Sequence, residues 1–148
     1  DVTTGVGIAL TEEMVERVDS ALSSGKPIVV SYVADGRPRM SLRGSTHVHA
    51  PDQLALWVRK SAGLVEAISA NPAVGLLYRD SDTRTTYVFS GRAHVADDAE
   101  TRTQVYDRSP KAERDHDPER KGFAVLVDLD EVTGGTVGGT MVSMRREG

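Results

Sequence analysis

Residues 28–43 read IVVSYVADGRPRMSLR, and they decide the fold. Ile28 to Ala34 is rich in β-branched and aromatic residues, which suit a half-buried strand. Asp35-Gly36 follows, and both residues accept positive φ, so they close a two-residue hairpin whose twist matches its strands. The return strand alternates: Arg39, Ser41 and Arg43 share one face, Met40 and Leu42 the other. Pro38 cannot donate to a ladder, which points to a sheet edge.

On the N-terminal side, Thr11 has the chemistry of a helix N-cap, with Glu12 and Glu13 in the first turn. Met14, Val15, Val18, Ala21 and Leu22 then form one apolar stripe. Residues 1–10 are small, Gly-containing and aperiodic, and are expected to be a flexible lead-in. On the C-terminal side, Ala50-Pro51-Asp52 marks a turn and Leu54, Leu56 and Val58 alternate in a third strand. Ser61 is the expected N-cap of a short helix that stops at Asn71-Pro72. Ala73 to Tyr78 and Thr85 to Val95 read as two more strands, with a bulge or close backbone approach at Gly91. Asp97 or Asp98 caps a third helix reaching about Asp107. The charged stretch from Arg108 to Lys121 is expected to be an exposed loop, and Phe123 to Leu129 a last strand. After Leu129, Gly134-Gly135 and Gly138-Gly139 fit either a bulged strand or a flexible tail. Hairpin links favour an antiparallel sheet, and about six strands can close into a barrel with helices outside.

The composition agrees with one soluble domain: 148 residues, 39% hydrophobic and 27% charged. With no cysteine, thiolate metal centres, disulfides and thiol nucleophiles are excluded. A net charge of −4 argues against a nucleic-acid partner. No apolar run approaches the ~20 residues of a membrane span, and no signal peptide is evident, so a cytoplasmic location is expected.

Against that acidic background one basic constellation stands out. Arg39, Ser41 and Arg43 share a strand face, and Arg59, Lys60 and Ser61 stand where a strand meets a helix. Guanidinium, ammonium and hydroxyl groups beside free N–H groups suit a phosphate. The alternative is a solvated strand face beside an ordinary helix cap. His47 and His49 share a strand face and fit two metal ligands or a haem ligand with its neighbour, but two surface imidazoles are the simpler expectation. Tyr87 and His94 fit proton donors on the longer strand, with core packing the simpler expectation for both; Asp115-His116-Asp117 fits a weak divalent-cation site, with a solvated loop the simpler expectation. Hydrolase, zinc-protease, P-loop and Rossmann signatures are missing, so redox chemistry carried by a bound cofactor is the enzymatic reading that needs none of them.

The ordered set GRPRMS at 36–41, LWVRKS at 56–61, AISANP at 67–72 and VFSGRA at 88–93 resembles the pyridoxamine 5′-phosphate oxidase-like, flavin-binding split β-barrel family. The resemblance covers roughly residues 11–131 and leaves 132–148 as a Gly-rich C-terminal segment. It implies a six-stranded antiparallel split β-barrel with flanking helices, paired in a homodimer with two flavin sites at the subunit interface. It also implies cofactor-binding roles for Arg39, Met40 and Ser41, and for Trp57, Val58, Arg59, Lys60 and Ser61, with the flavin ring along the backbone near Trp57 and Val58. Ala62-Gly63-Leu64 stands where many members carry a lysine, so the phosphate would lean on Lys60 and the arginines. The chain lacks the basic, proline-terminated end of the true pyridoxamine phosphate oxidases, and vitamin B6 oxidation is not expected. The implied activity is hydride transfer between a flavin and a small-molecule substrate. The cofactor would be FMN, with FAD, a deazaflavin coenzyme or haem as alternatives. A non-enzymatic flavin-nucleotide or haem binding protein is the second reading, and a cofactor-free dimeric scaffold the third.

Overall fold

The computed structural model describes residues 2–147. In chain order the elements are β1 (Val2–Val6), α1 (Glu12–Asp19), β2 (Val29–Ala34), β3 (Arg37–Leu42), β4 (His47–Ala50), β5 (Gln53–Val58), a 3-10 turn (Lys60–Ala62) and α2 (Leu64–Ala70). They continue with β6 (Ala73–Asp80), β7 (Thr85–Ala96), α3 (Ala99–Arg108), α4 (Lys111–Arg114), β8 (Phe123–Thr136) and β9 (Met141–Arg145). The fold is α+β and mostly antiparallel.

The local signals act as the sequence suggests. Asp35 and Gly36 take φ of 53° and 71°, and the hairpin pairs Val33 with Pro38 and Val29 with Leu42. Among the described residues β3 pairs only with β2, so Pro38 sits on an edge strand. Thr11 caps α1, its side-chain oxygen accepting the Met14 N–H at 3.2 Å. Gly91 marks the β7–β8 register shift, and a Cβ there would lie 2.2 Å from the Asp128 carbonyl oxygen. That approach is closed to any other residue.

The strands run β1-β9-β8-β7-β6-β2-β3, while β5 adds to β8 and β4 to β5. The length of β8 makes this possible. Its first half pairs with β5, its second half with β9, and β7 runs along the other side. The sheet curls around one core in which Met14 and Val18 of α1, Leu64 and Ile68 of α2, Leu56, Leu76, Phe89, Val127 and Met144 all meet. A second, smaller cluster lies on the outer side of β5 and β8, where Trp57, Ala124 and Leu126 pack under Val105 and Tyr106 of α3. Each large apolar side chain so buried contributes about 1.5–3 kcal/mol.

Several expectations are corrected. Among the described residues nine strands form where about six were expected. Residues 2–6 form β1, which pairs in parallel with β9, where an aperiodic lead-in was expected; the partner strand, not local propensity, defines it. Of the two alternatives left open for the glycine-rich stretch, strand or tail, the strand forms: it is the end of β8 and the turn into β9. The segment after α3 includes α4 and packs against the body of the fold, with Asp117 only 9% exposed. Among the described residues no helix is long and apolar enough to cross a membrane.

Candidate functional site

A cleft of about 210 Å³ opens at the C-terminal ends of β3 and β5. Leu42, Arg43, Trp57, Arg59 and Ser61 line one side, and Glu113 and His116 of the α4 segment line the other. Three sequence-predicted residues, Trp57, Arg59 and Ser61, therefore meet there. Arg39 and Met40 remain exposed on β3, and Lys60 is exposed at the turn. Val58 is buried in the main core. Ser41 acts one step back, its hydroxyl oxygen accepting the Arg43 Nε–H at 2.9 Å.

Local chemistry explains how these groups converge. Ser45, buried at the close of the turn after β3, clasps the end of β5. Its hydroxyl donates to the Trp57 carbonyl and accepts the Trp57 N–H, both at 3.0 Å. Arg43, two residues before Ser45, and Arg59, two residues after Trp57, line the same cleft. The helix expected to begin at Ser61 begins at Leu64, after Gly63 in the left-handed region at φ 76°. Ser61 instead belongs to the 3-10 turn, so the positive character of the cleft comes from side chains and not from a helix end.

The opposite wall hangs on one carboxylate that the sequence reading missed. Asp117 accepts the Trp57 indole N–H at 2.8 Å, the Gly122 N–H at 2.8 Å and the Lys121 N–H at 3.0 Å. A Cβ on Gly122 would lie 2.6 Å from the Val58 carbonyl oxygen and 2.8 Å from the indole nitrogen, so only glycine lets the chain pass there. The Arg102 guanidinium covers the Trp57 ring at 4.9 Å, and the Tyr106 ring meets it edge-on at 5.1 Å. Tyr106 also donates its hydroxyl to the carbonyls of Asp117 and Arg114. One signal was available: a single tryptophan in a strand needs an acceptor for its indole N–H when buried.

His47 is 3% exposed, not a surface imidazole as expected. Its Nδ1 lies 2.7 Å from the Ser45 carbonyl, which can only accept, so Nδ1 carries the proton. Its Nε2 has no partner among the described residues. Burial holds this imidazole below its ordinary value of 6.5, reinforced by Arg108 and His49 and opposed by the Ser45 carbonyl and Asp19. The unfolded chain thus binds this proton more readily than the native one. The resulting stability is complete above about pH 6.5 and is lost as pH falls through the lower native value. His47→Gln is expected to flatten that part of a plot of melting temperature against pH; equal slopes in variant and parent would contradict it.

The sheet face beside the cleft is unusually apolar. Leu42, Val29, Leu77 and Val88 are successive register partners across β3, β2, β6 and β7. Met40, two residues from Leu42 on the same face, is 72% exposed, and Leu42 is 63% exposed.

No protein-family model matches the chain, and no curated protein does. Solved structures do. HupZ of Group A Streptococcus has a TM-score of 0.67 at 14% identity, over 86% of this chain and 97% of its own. A Clostridium acetobutylicum protein related to general stress protein 26, of the pyridoxinephosphate oxidase family, has a TM-score of 0.65 at 13% identity, over 92% and 96%. A NimC/NimA family protein from the same organism has a TM-score of 0.66 at 12% identity, over 90% and 98%. The chain therefore has the pyridoxamine 5′-phosphate oxidase-like split-barrel fold.

Proposed function

We propose that this chain is a homodimeric flavin oxidoreductase that holds the phosphate of an FMN-type cofactor between Arg43, Arg59 and Ser61. The convergence of two guanidinium groups and a hydroxyl in one cleft, within an acidic chain, carries the reading. Arginine suits phosphate because its planar fork gives paired, charge-assisted hydrogen bonds. At about 210 Å³ the cleft is smaller than the ~300–1,000 Å³ of a whole-ligand site, so one chain suits the phosphate end alone.

The remainder of the cofactor needs a wall that a second copy would supply. The Leu42–Val29–Leu77–Val88 row adjoins the cleft through Leu42, and exposed apolar patches of this kind mark association surfaces. Leu77→Glu with Val88→Glu is expected to yield a monomer in sedimentation and to lower FMN retention together with dimer content. A double variant that stays dimeric would contradict this interface.

A bound flavin supplies the hydride transfer to a small substrate. The chain's own residues bind, orient and exclude water. His116 stands in the opposite wall of the cleft, 3.9 Å from Glu113. That same imidazole favours a second reading, a non-enzymatic carrier of flavin nucleotide or haem. Visible absorption spectra of purified protein separate the two, with FMN, FAD, deazaflavin coenzyme or haem added in turn and free ligand removed. Retained flavin with catalytic turnover supports the oxidoreductase. Haem retained alone supports the carrier, and retention of none removes both.

A further inference from the structure

Glu113 is the one carboxylate among the described residues that lines the Arg43–Arg59 cleft. A Cβ on Gly44 would lie 3.0 Å from its Oε1, so glycine leaves the carboxylate room against the backbone that follows Arg43. The Glu113 side chain is 31% exposed, and among the described residues it meets one ionisable partner, His116 at 3.9 Å. No ion pair joins it to Arg43 or Arg59 there. The Arg43 Nε–H goes to Ser41 instead. The cleft thus has a wall of donors, Arg43, Arg59 and Ser61, and across from it an acceptor that none of them satisfies.

The two walls together restrict what the cleft can take. A cavity of about 150 Å³ suffices for benzene, so this one, at about 210 Å³, holds a phosphate with a short chain attached. A phosphate on the donor wall sets the next atoms of its ligand against Glu113. An alkyl chain there strips water from the carboxylate and returns no hydrogen bond. A second anionic group meets like charge in a part-buried place. A hydroxyl donates to the carboxylate and replaces the water it displaces. Sites that bond a hydroxyl in this way discriminate against analogues lacking it, because the acceptor is then left unpaired.

We propose that Glu113 is the specificity-determining residue of this cleft. It selects phosphate monoesters that carry hydroxyl groups on the carbons beside the phosphate, and it disfavours those with an alkyl or anionic group there. This rests on the reading of Arg43, Arg59 and Ser61 as a phosphate site. It also gives the α4 segment a task beyond closing the cleft, since α4 brings the only acid to a wall opposite two guanidinium groups among the described residues.

Four probes are titrated into the isotopically labelled full chain while the amide resonances of Gly44, Arg59 and Ser61 are followed: inorganic phosphate, glycerol 3-phosphate, propyl phosphate and phosphoglycolate. Glycerol 3-phosphate is expected to bind about tenfold more tightly than propyl phosphate, and phosphoglycolate most weakly of the three esters. Glu113→Ala should bring glycerol 3-phosphate and propyl phosphate together and strengthen phosphoglycolate. Glu113→Gln keeps an acceptor without the charge, so it should retain part of the hydroxyl preference while relieving phosphoglycolate. Inorganic phosphate reports the donor wall alone: it should still bind both Glu113 variants, which also shows that they fold, and should be lost with Arg43→Ala and Arg59→Ala together. Equal affinities for glycerol 3-phosphate and propyl phosphate, or a preference that survives Glu113→Ala, would overturn the role of Glu113 while inorganic phosphate still binds. Inorganic phosphate leaving all three resonances unmoved would overturn the phosphate site and the role of Glu113 with it.

Discussion

Replacing Arg43 and Arg59 together by alanine is expected to lower FMN affinity by about a hundredfold. A hydrogen bond to a charged group contributes about 1.5–3 kcal/mol, and each 1.4 kcal/mol is about a factor of ten. Two such groups lost together exceed that factor, and water replacing them returns part of it. Arg39→Ala with Lys60→Ala is expected to cost only severalfold, through long-range charge, because neither side chain lines the cleft. Ser41→Ala should fall between the two, since it frees the Arg43 Nε–H while leaving its charge. Titration calorimetry with FMN gives the order. Arg39 and Lys60 outweighing Arg43 and Arg59 would move the phosphate out of the cleft.

The second large effect is on stability. Asp117→Ala is expected to cost about 3 kcal/mol, because it strips the acceptor from the Trp57 indole and from two backbone N–H groups. Asp117→Asn keeps one oxygen and should lose less. The two variants also differ from the parent in acid. Burial alone would raise the Asp117 carboxyl, but its donors from Trp57, Lys121 and Gly122, with Arg59 nearby, outweigh that and hold it below 3.8. The native state therefore releases this proton more readily than the unfolded chain. The stabilisation is present above about pH 4 and disappears as pH falls through the native value. Urea titrations followed by tryptophan emission report both effects, because Trp57 is the chain's only tryptophan. Asp117→Ala within experimental error of the parent would show that the α4 wall is held by other means.

Sequence alone resolved what local chemistry dictates. The Asp35-Gly36 turn, the Thr11 cap and the Gly91 irregularity need only two or three residues to specify them, and all three are present. Arg59 and Ser61 stood out with Lys60 at a strand end, and Trp57 through the family resemblance; the structure brings Arg59, Ser61 and Trp57 into one cleft. Choosing Arg43 over Arg39 was not possible, because both share one face of β3. What separates them is the Ser45 clasp to Trp57, a contact across 12 residues. His47 shows the same limit: alternation tells which residues share a face but not which face another element covers. β1 and Asp117 were hidden because their partners lie more than half the chain away or in a segment whose charge reads as solvated.

FMN titrated into the purified chain, with Trp57 emission followed throughout, tests the cleft assignment most directly. The indole forms part of the cleft wall, and flavin absorbs where tryptophan emits, so a cofactor held there must quench it. Saturable quenching that ends at one FMN per chain, and is lost in the Arg43→Ala, Arg59→Ala variant, is the expected result. Quenching that never saturates, or that persists unchanged in that variant, would contradict a flavin phosphate site between Arg43, Arg59 and Ser61.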